Sequence, residues 1–354
     1  MTSAVRRDQE FRALLELSAA LGANPLRTQA AGGNTSIKRD GVMWIKASGA
    51  WLAEAMQRDM MTPVLLSPLL EAISSGDPRA ENGAAFVDAA QNSSGLRPSI
   101  ETSVHAVLPH AIVVHIHCVD TIALAVRVDA EAAIASRLAH LRRDEWAFIP
   151  YVKPGLSLAK AIGPRLTART NILVLGNHGL VIGAETVAEA SHRTAQVCSA
   201  FAADTEEAAA PDLAQLSEVI SKSDYRLPRY SEAHATALDP KRLSLARRGT
   251  LYPDHAVFLG SGIIESAVVD GQLEIPADLD RIAPMLVIPG LGVVLHRSCP
   301  RGVDELARCL ADVTGRIRKD TEVRILSSAE ERELVNWEAE KYRRALNTAA
   351  DKAT

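Results

Sequence analysis

The sequence predicts an α/β fold built on a mixed or antiparallel sheet. Segments with helical apolar spacing alternate along the chain with short apolar runs of strand length, and a hairpin signal near the N-terminus rules out an all-parallel sheet. The first helix is expected over Asp8–Leu21, where Phe11, Leu14, Leu15 and Leu17 recur with Leu21 a turn later, and Gly22 is expected to end it. Thr35–Lys38 and Val42–Lys46 flank Arg39-Asp40-Gly41 and read as a β-hairpin. That hairpin carries Asn34 at one root and Ser48 and Gly49 at the other, so it gathers polar residues that are distant in sequence. Further helices are expected over Pro63–Ser74, Glu101–Leu108, Glu131–Leu141, Leu156–Ile162 and Thr186–Thr205. Strands are expected over Ile112–His117, Ala147–Tyr151 and Ile172–Leu175.

An acidic, proline-containing stretch between Asp204 and Leu216 reads as a boundary. Two domains follow from it: 1–206, and a smaller α/β unit over 217–354. In the second, strands are expected at Met285–Ile288 and Val293–His296, with helices near Val303–Ile317 and Ala329–Leu346. Gly290 and Gly292 are the one hint of a dinucleotide loop, but a third glycine and a helix directly behind them are missing, so they read as a hairpin turn. The 354 residues suffice for both cores. A net charge of −4 with scattered Lys and Arg argues against a nucleic-acid partner. No apolar stretch reaches membrane-spanning length, and Met1–Arg7 is polar and charged from Arg6 onward. Cys118, Cys198, Cys299 and Cys309 lack Cys-x-x-Cys spacing and no secretory signal precedes them, so a reducing cytoplasm is expected.

The chemistry concentrates at Val113-Val-His115-Ile-His117. Residues two apart on a strand share a face, so an apolar strand here presents two imidazoles side by side. Such a pair serves either as two satisfied core histidines or as a metal clamp. A third imidazole is offered by His178, on a glycine-flanked bend between Ile172–Leu175 and the apolar run Leu180–Ile182. Glu101 opens a short helix after a proline-containing loop, sharing a face with His105. Three imidazoles beside a carboxylate suit a catalytic site, since three protein nitrogens leave a coordination position for substrate or water.

In order, the blocks Gly33-Asn34-Thr35-Ser36, Ile45-Lys46-Ala47-Ser48-Gly49, Pro98-Ser99-Ile100-Glu101, His115-Ile116-His117 and Asn177-His178-Gly179 resemble the class II aldolase/adducin family over about residues 10–205. The resemblance implies a three-layer α/β/α domain with a mixed, largely antiparallel central sheet. It implies a divalent metal ion, zinc first and manganese second, on His115, His117 and His178, with Glu101 as the acid/base. Asn34, Ser48, Gly49 and Ser99 would hold the phosphate of a small-molecule sugar substrate. Ile100 departs from the pattern, standing where sugar-phosphate aldolases carry a second serine. Homo-oligomers, commonly tetramers, are implied as well. The second unit resembles the stretch that follows the aldolase module in fused rhamnulose-1-phosphate aldolase/dehydrogenase proteins.

Three functions are compatible with this reading. The first is a zinc-dependent aldolase that cleaves a phosphorylated ketose or related keto-sugar through a metal-stabilised enediolate. The second is a decarboxylase, dehydratase or epimerase of a phosphorylated sugar or keto-acid on the same metal. The third is a non-catalytic adducin-like interaction module, which has no need of a complete ligand set. Glutamate rather than aspartate at position 101 favours the aldolase over the epimerases that resemble this family. His105 is expected as a second support or core hydrogen-bonder, His110 in a loop and His192 on a helix surface. His255 follows Pro253-Asp254 and reads as a turn residue or part of a site. Lys46 and Lys153 are expected to be exposed, or else to neutralise phosphate.

Overall fold

The structure is a computed structural model describing residues 8–276 and 282–336; Met1–Arg7 and the 337–346 part of the expected last helix lie outside the described residues. Those within Met1–Thr121 and Ala130–Ala202 form one compact unit, and those within Ile122–Asp129 and Ala203–Thr354 form a second.

In chain order the first stretch contains α1 (Gln9–Ala23), β1 (Asn34–Arg39), β2 (Val42–Lys46), β3 (Met61–Leu65), α2 (Leu66–Ser75), α3 (Thr102–Val107), β4 (Ile112–Ile116), α4 (Val119–Ala125), α5 (Ala130–Arg137), β5 (Trp146–Ile149), α6 (Leu156–Ile162), β6 (Ile172–Leu175), β7 (Gly179–Ala184) and α7 (Val187–Phe201). Seven strands make one sheet in the order β3-β2-β1-β4-β7-β6-β5. Every pairing is antiparallel except β5 with β6, which gives the mixed, largely antiparallel sheet that the hairpin requires. β1 and β2 are joined across Asp40 and Gly41, whose φ angles of 51° and 77° are those of a tight turn matched to strand twist.

Strand alternation divides the core in two. Met43, Ile45, Val113 and Val181 face α2, α3 and α6, while β1, β4 and β7 meet α1 and α7 on the other side. There the Phe11 ring stands edge-on to Trp44 at 5.8 Å, and the Ser18 and Thr35 hydroxyls meet at 2.8 Å. The result is a three-layer α/β/α domain.

Several expected elements change at their ends, each for a packing reason. Gly22 does not end α1, which runs on to Ala23. A Cβ at Gly22 would lie 2.0 Å from the Ala53 backbone nitrogen, so the glycine is there to let another backbone approach. The helix expected over Pro63–Ser74 begins only at Leu66, and Pro63 lies in edge strand β3. Its carbonyl accepts from the Asp88 N–H at 3.0 Å, away from β2, so the N–H that proline lacks is not needed by the ladder. α7 stops at Phe201, the last residue of its buried face, because Asp204 and Thr205 one turn on are polar and exposed. α4 is not among the helices expected from the sequence.

The second unit contains α8 (Leu213–Val219), β8 (Tyr225–Arg226), α9 (Ala235–Leu238), α10 (Pro240–Ala246), β9 (Ile264–Glu265), β10 (Ala267–Val269), β11 (Gln272–Glu274), β12 (Met285–Ile288), β13 (Gly292–His296), α11 (Gly302–Arg316) and α12 (Ser328–Asn336). β12 and β13 pair antiparallel, so the hairpin turn read from the sequence is present, made by Pro289, Gly290 and Leu291, with Gly292 opening β13. They form the centre of a four-stranded sheet ordered β8-β13-β12-β9. His255 is fully buried and structural. Its Nε2 lies 3.0 Å from the Gly262 carbonyl, to which it donates, and the Leu251 N–H approaches Nδ1 at 3.4 Å. Only the neutral ring can do both, and burial pushes its pKa down to about 4.

Two stability measurements follow. Gly22→Ala gains about 1 kcal/mol of helix propensity, but the added methyl collides with backbone that cannot rotate away; we expect a net loss of about 2 kcal/mol in urea unfolding. Below pH 6.5 an unfolded chain protonates His255 while the folded chain does not. Its contribution is therefore complete above that pH and declines as pH falls toward about 4, a change of about 3 kcal/mol. His255→Gln should flatten the stability profile across that window; a profile parallel to that of the parent contradicts the assignment.

Candidate metal centre

β4 lies between β1 and β7, with His115 directly opposite Asn34 on one side and Val181 on the other. Cross-strand partners point to the same face, so Asn34 and His115 both project toward the layer that contains α3. His117 follows two residues on. Glu101 occupies the position immediately before α3, with φ −100° and ψ 20°. His178 is brought in by the three-residue loop between β6 and β7, where Asn177 takes φ 53°, a left-handed conformation that asparagine tolerates. A Cβ at Gly179 would sit 2.4 Å from the Ile116 carbonyl oxygen, so only glycine lets this loop close over the end of β4.

The result is a buried cluster in which one ligand atom each from Glu101, His115, His117 and His178 lies within 4.8 Å of all the others. The three imidazole centroids are 4.9, 4.9 and 5.0 Å apart. His115 Nε2 is 3.1 Å from His117 Nε2 and 3.2 Å from Glu101 Oε2; His178 Nε2 is 3.6 Å from Glu101 Oε1. The Leu180 carbonyl, 3.0 Å from His115 Nδ1, can only accept, which places the ring proton on Nδ1. Nε2 then presents a lone pair toward a carboxylate oxygen in a site closed to water. A cation among these atoms resolves that repulsion, and three nitrogens with a carboxylate are donors suited to a divalent metal. Burial pushes the Glu101 carboxyl up, but the positive charge that His115, His178 and His117 carry when protonated, rather than neutral around a cation, outweighs it and holds the group well below the usual carboxylate range.

Asn34 holds the carboxylate, and Ser99 holds Asn34 and the Glu101 backbone. The Asn34 amide nitrogen donates to Glu101 Oε2 at 2.9 Å and to Ser99 Oγ at 3.0 Å, and Ser99 Oγ also accepts the Glu101 N–H at 3.2 Å. Ser48 and Gly49 arrive by backbone pairing, since Ser48 N–H donates to the Arg97 carbonyl at 2.9 Å and Ser99 N–H to the Lys46 carbonyl at 3.0 Å. Ser48 Oγ and Asn34 Oδ1 are buried without hydrogen-bond partners among the described residues; Gly49 has φ 77°. Lys46 is a correction. Only 2% exposed, it donates to the Ala31 carbonyl at 2.8 Å and the Ala50 carbonyl at 2.7 Å, tying together the loops around Asn34 and Ser48. Lys153 lies 3.6 Å from Glu81. His105 is fully buried beside the Ser36 hydroxyl at 2.7 Å, and burial pushes it down to about 3.

The profile of the Class II Aldolase and Adducin N-terminal domain family matches residues 12–203. An uncharacterized oxidoreductase, YuxG, of Bacillus subtilis (strain 168) is 31% identical over 167 residues; the match covers 44% of this chain but only 24% of that protein. Among solved structures, the N-terminal class II aldolase domain of a conserved protein from Thermoplasma acidophilum is 26% identical, with 55% of this chain and 92% of that one covered and a TM-score of 0.47. A sugar-phosphate aldolase from Thermotoga maritima is 14% identical, with 55% and 92% covered and a TM-score of 0.42.

Elemental analysis of purified protein should find about one divalent ion per chain. His115→Ala, His117→Ala and His178→Ala should each lower that content and weaken binding; if all three retain the ion as the parent does, it binds elsewhere.

Proposed function

The chain belongs to the class II aldolase and adducin family, and from that membership we propose that it is a zinc-dependent aldehyde-lyase cleaving a phosphorylated ketose or related keto-sugar. The observation that carries this reading is the buried convergence of Glu101 with His115, His117 and His178. Three neutral imidazoles favour zinc, with manganese as the alternative. Bound by these histidines, the ion supplies Lewis-acid stabilisation, about several kcal/mol, for negative charge that develops as a carbon–carbon bond breaks.

The chain's own groups perform the remaining steps. Asn34 holds Glu101 through Oε2, so the carboxylate meets the substrate in one orientation and moves a proton to or from the reacting carbon or its hydroxyl. With both donor contacts of Asn34 directed at Ser99 and Glu101, its buried Oδ1 is placed to accept from a substrate hydroxyl. Ser99 Oγ accepts twice within the site, which leaves its proton to donate outward. Ser48 Oγ and the Gly49 amide add further neutral donors, suited to a phosphate held by hydrogen bonds. Burial keeps water from competing for each of these contacts.

Glu101→Gln should keep the metal and lower kcat by roughly a hundredfold or more. Metal-loaded protein should be screened against phosphorylated and unphosphorylated four- to six-carbon ketoses and keto-acids. Release of dihydroxyacetone phosphate supports the proposal. Release of carbon dioxide moves the assignment to a decarboxylase, and turnover of unphosphorylated compounds alone removes the phosphate.

A further inference from the structure

Directly after His117, the chain places Cys118 beside a second buried thiol. Cys118 and Cys198, 80 residues apart in sequence, have their sulfurs 3.8 Å from one another, and both residues are almost completely buried, at 0% and 1% exposed. Cys118 lies between β4 and α4; Cys198 lies on the buried face of α7. Two free thiols in van der Waals contact on separate elements are a dithiol awaiting an oxidant. Arg27 Nη1 donates to Cys118 Sγ at 3.2 Å and lies 3.7 Å from Asp120 Oδ2. Its side chain is 25% exposed, so the thiol pair sits behind a partly exposed arginine. Packing alone demands no polar partner for a buried cysteine, and a guanidinium held on the sulfur is not what a purely apolar filler requires.

We propose that Cys118 and Cys198 form a peroxide-sensitive modification site whose closure to a disulfide loosens the neighbouring cluster at His117. One sulfur attacks a peroxide oxygen, the O–O bond breaks, and the departing oxygen takes a proton and leaves as water or an alcohol. The second sulfur then attacks the resulting sulfenic acid; the S–S bond forms, the S–O bond breaks, and water leaves. Two thiols lose two electrons and two protons, and the peroxide is reduced by the same two electrons. Bringing sulfurs from 3.8 Å to a bond of about 2 Å must move Cys118, Cys198 or both. The peptide that joins Cys118 to His117 transmits that shift to an imidazole of the cluster. This last step rests on reading that cluster as a metal site; formation of the disulfide does not.

The test uses the full chain with Cys299→Ser, which removes the partly exposed thiol. Zinc-loaded protein is treated with dilute hydrogen peroxide, then alkylated under denaturing conditions and mapped without reduction. The expected result is a peptide pair cross-linked through Cys118 and Cys198, a zinc dissociation constant raised about tenfold, and reversal of both by dithiothreitol. Cys198→Ser should abolish the cross-link and make zinc retention insensitive to peroxide; Cys118→Ser tests the same bond from the other side. Recovery of both thiols fully alkylated after peroxide overturns the proposal. A cross-link that leaves zinc affinity unchanged overturns its connection to His117. If the untreated protein binds no zinc, the metal reading fails, while the cross-link still decides the thiol site.

Discussion

The register of β4 between β1 and β7 is the constraint on which the rest of the site depends. Pairing Asn34 with His115 and His115 with Val181 sends His115 to the same face as the residue that holds Glu101. It also puts the β6–β7 loop over the strand's end, where His178 can join. A slip of one residue would turn every side chain of the strand to the opposite face, removing His115 from the cluster and putting Val114 in its place. The register is secured from both sides: Val113 belongs to the core under α3 and α6, while α1 and α7 pack against the opposite face. Burying apolar side chains at about 1.5–3 kcal/mol each makes such a slip costly, so the hydrophobic core sets the geometry of the polar site.

Bringing a carboxylate and three imidazoles out of water is unfavourable without compensation. Part of the compensation is visible in the protein itself: the Leu180 carbonyl on His115, and the Asn34 amide and Ser99 hydroxyl around Glu101. These contacts orient Glu101 and His115 and leave His115 Nε2 with a lone pair facing the cluster. Lys46 makes a related contribution one layer out. Its ammonium donates to the carbonyls of Ala31 and Ala50, so the loops carrying Asn34 and Ser48 are held in place by a buried charge.

The same strand end also joins the cluster to the thiol pair. His117 and Cys118 are consecutive, and Cys198 approaches from α7 on the far side of the sheet from α3. An oxidation event at the thiol pair would thus be one peptide away from an imidazole of the cluster. Close packing makes this coupling physical, because side chains around a strand end have little free volume in which to absorb a displacement.

The sequence by itself determined the α/β class, the β1–β2 hairpin, the Pro289–Gly292 turn and the grouping of His115 with His117, because each depends on local periodicity or turn chemistry. Turn and helix-start signals offered His178 and Glu101 as a third imidazole and a carboxylate beside that pair, and the family resemblance carried by five ordered blocks added Asn34, Ser48, Gly49 and Ser99 as expected members of the same site. Only the tertiary structure decided what depends on neighbours remote in the chain. Gly22 reads as a helix stop but serves the close passage of Ala53. Pro63 reads as the start of a helix but lies on a sheet edge that does not need its N–H. Lys46 reads as exposed but is buried, because two loop carbonyls from different segments converge on it. His255, ambiguous after Pro253-Asp254, becomes a neutral clamp once Gly262 folds back to it. The meeting of Cys118 with Cys198 has no spacing signal at all; it arises because α7 returns across β4 and places its buried face, with Cys198, against the end of that strand.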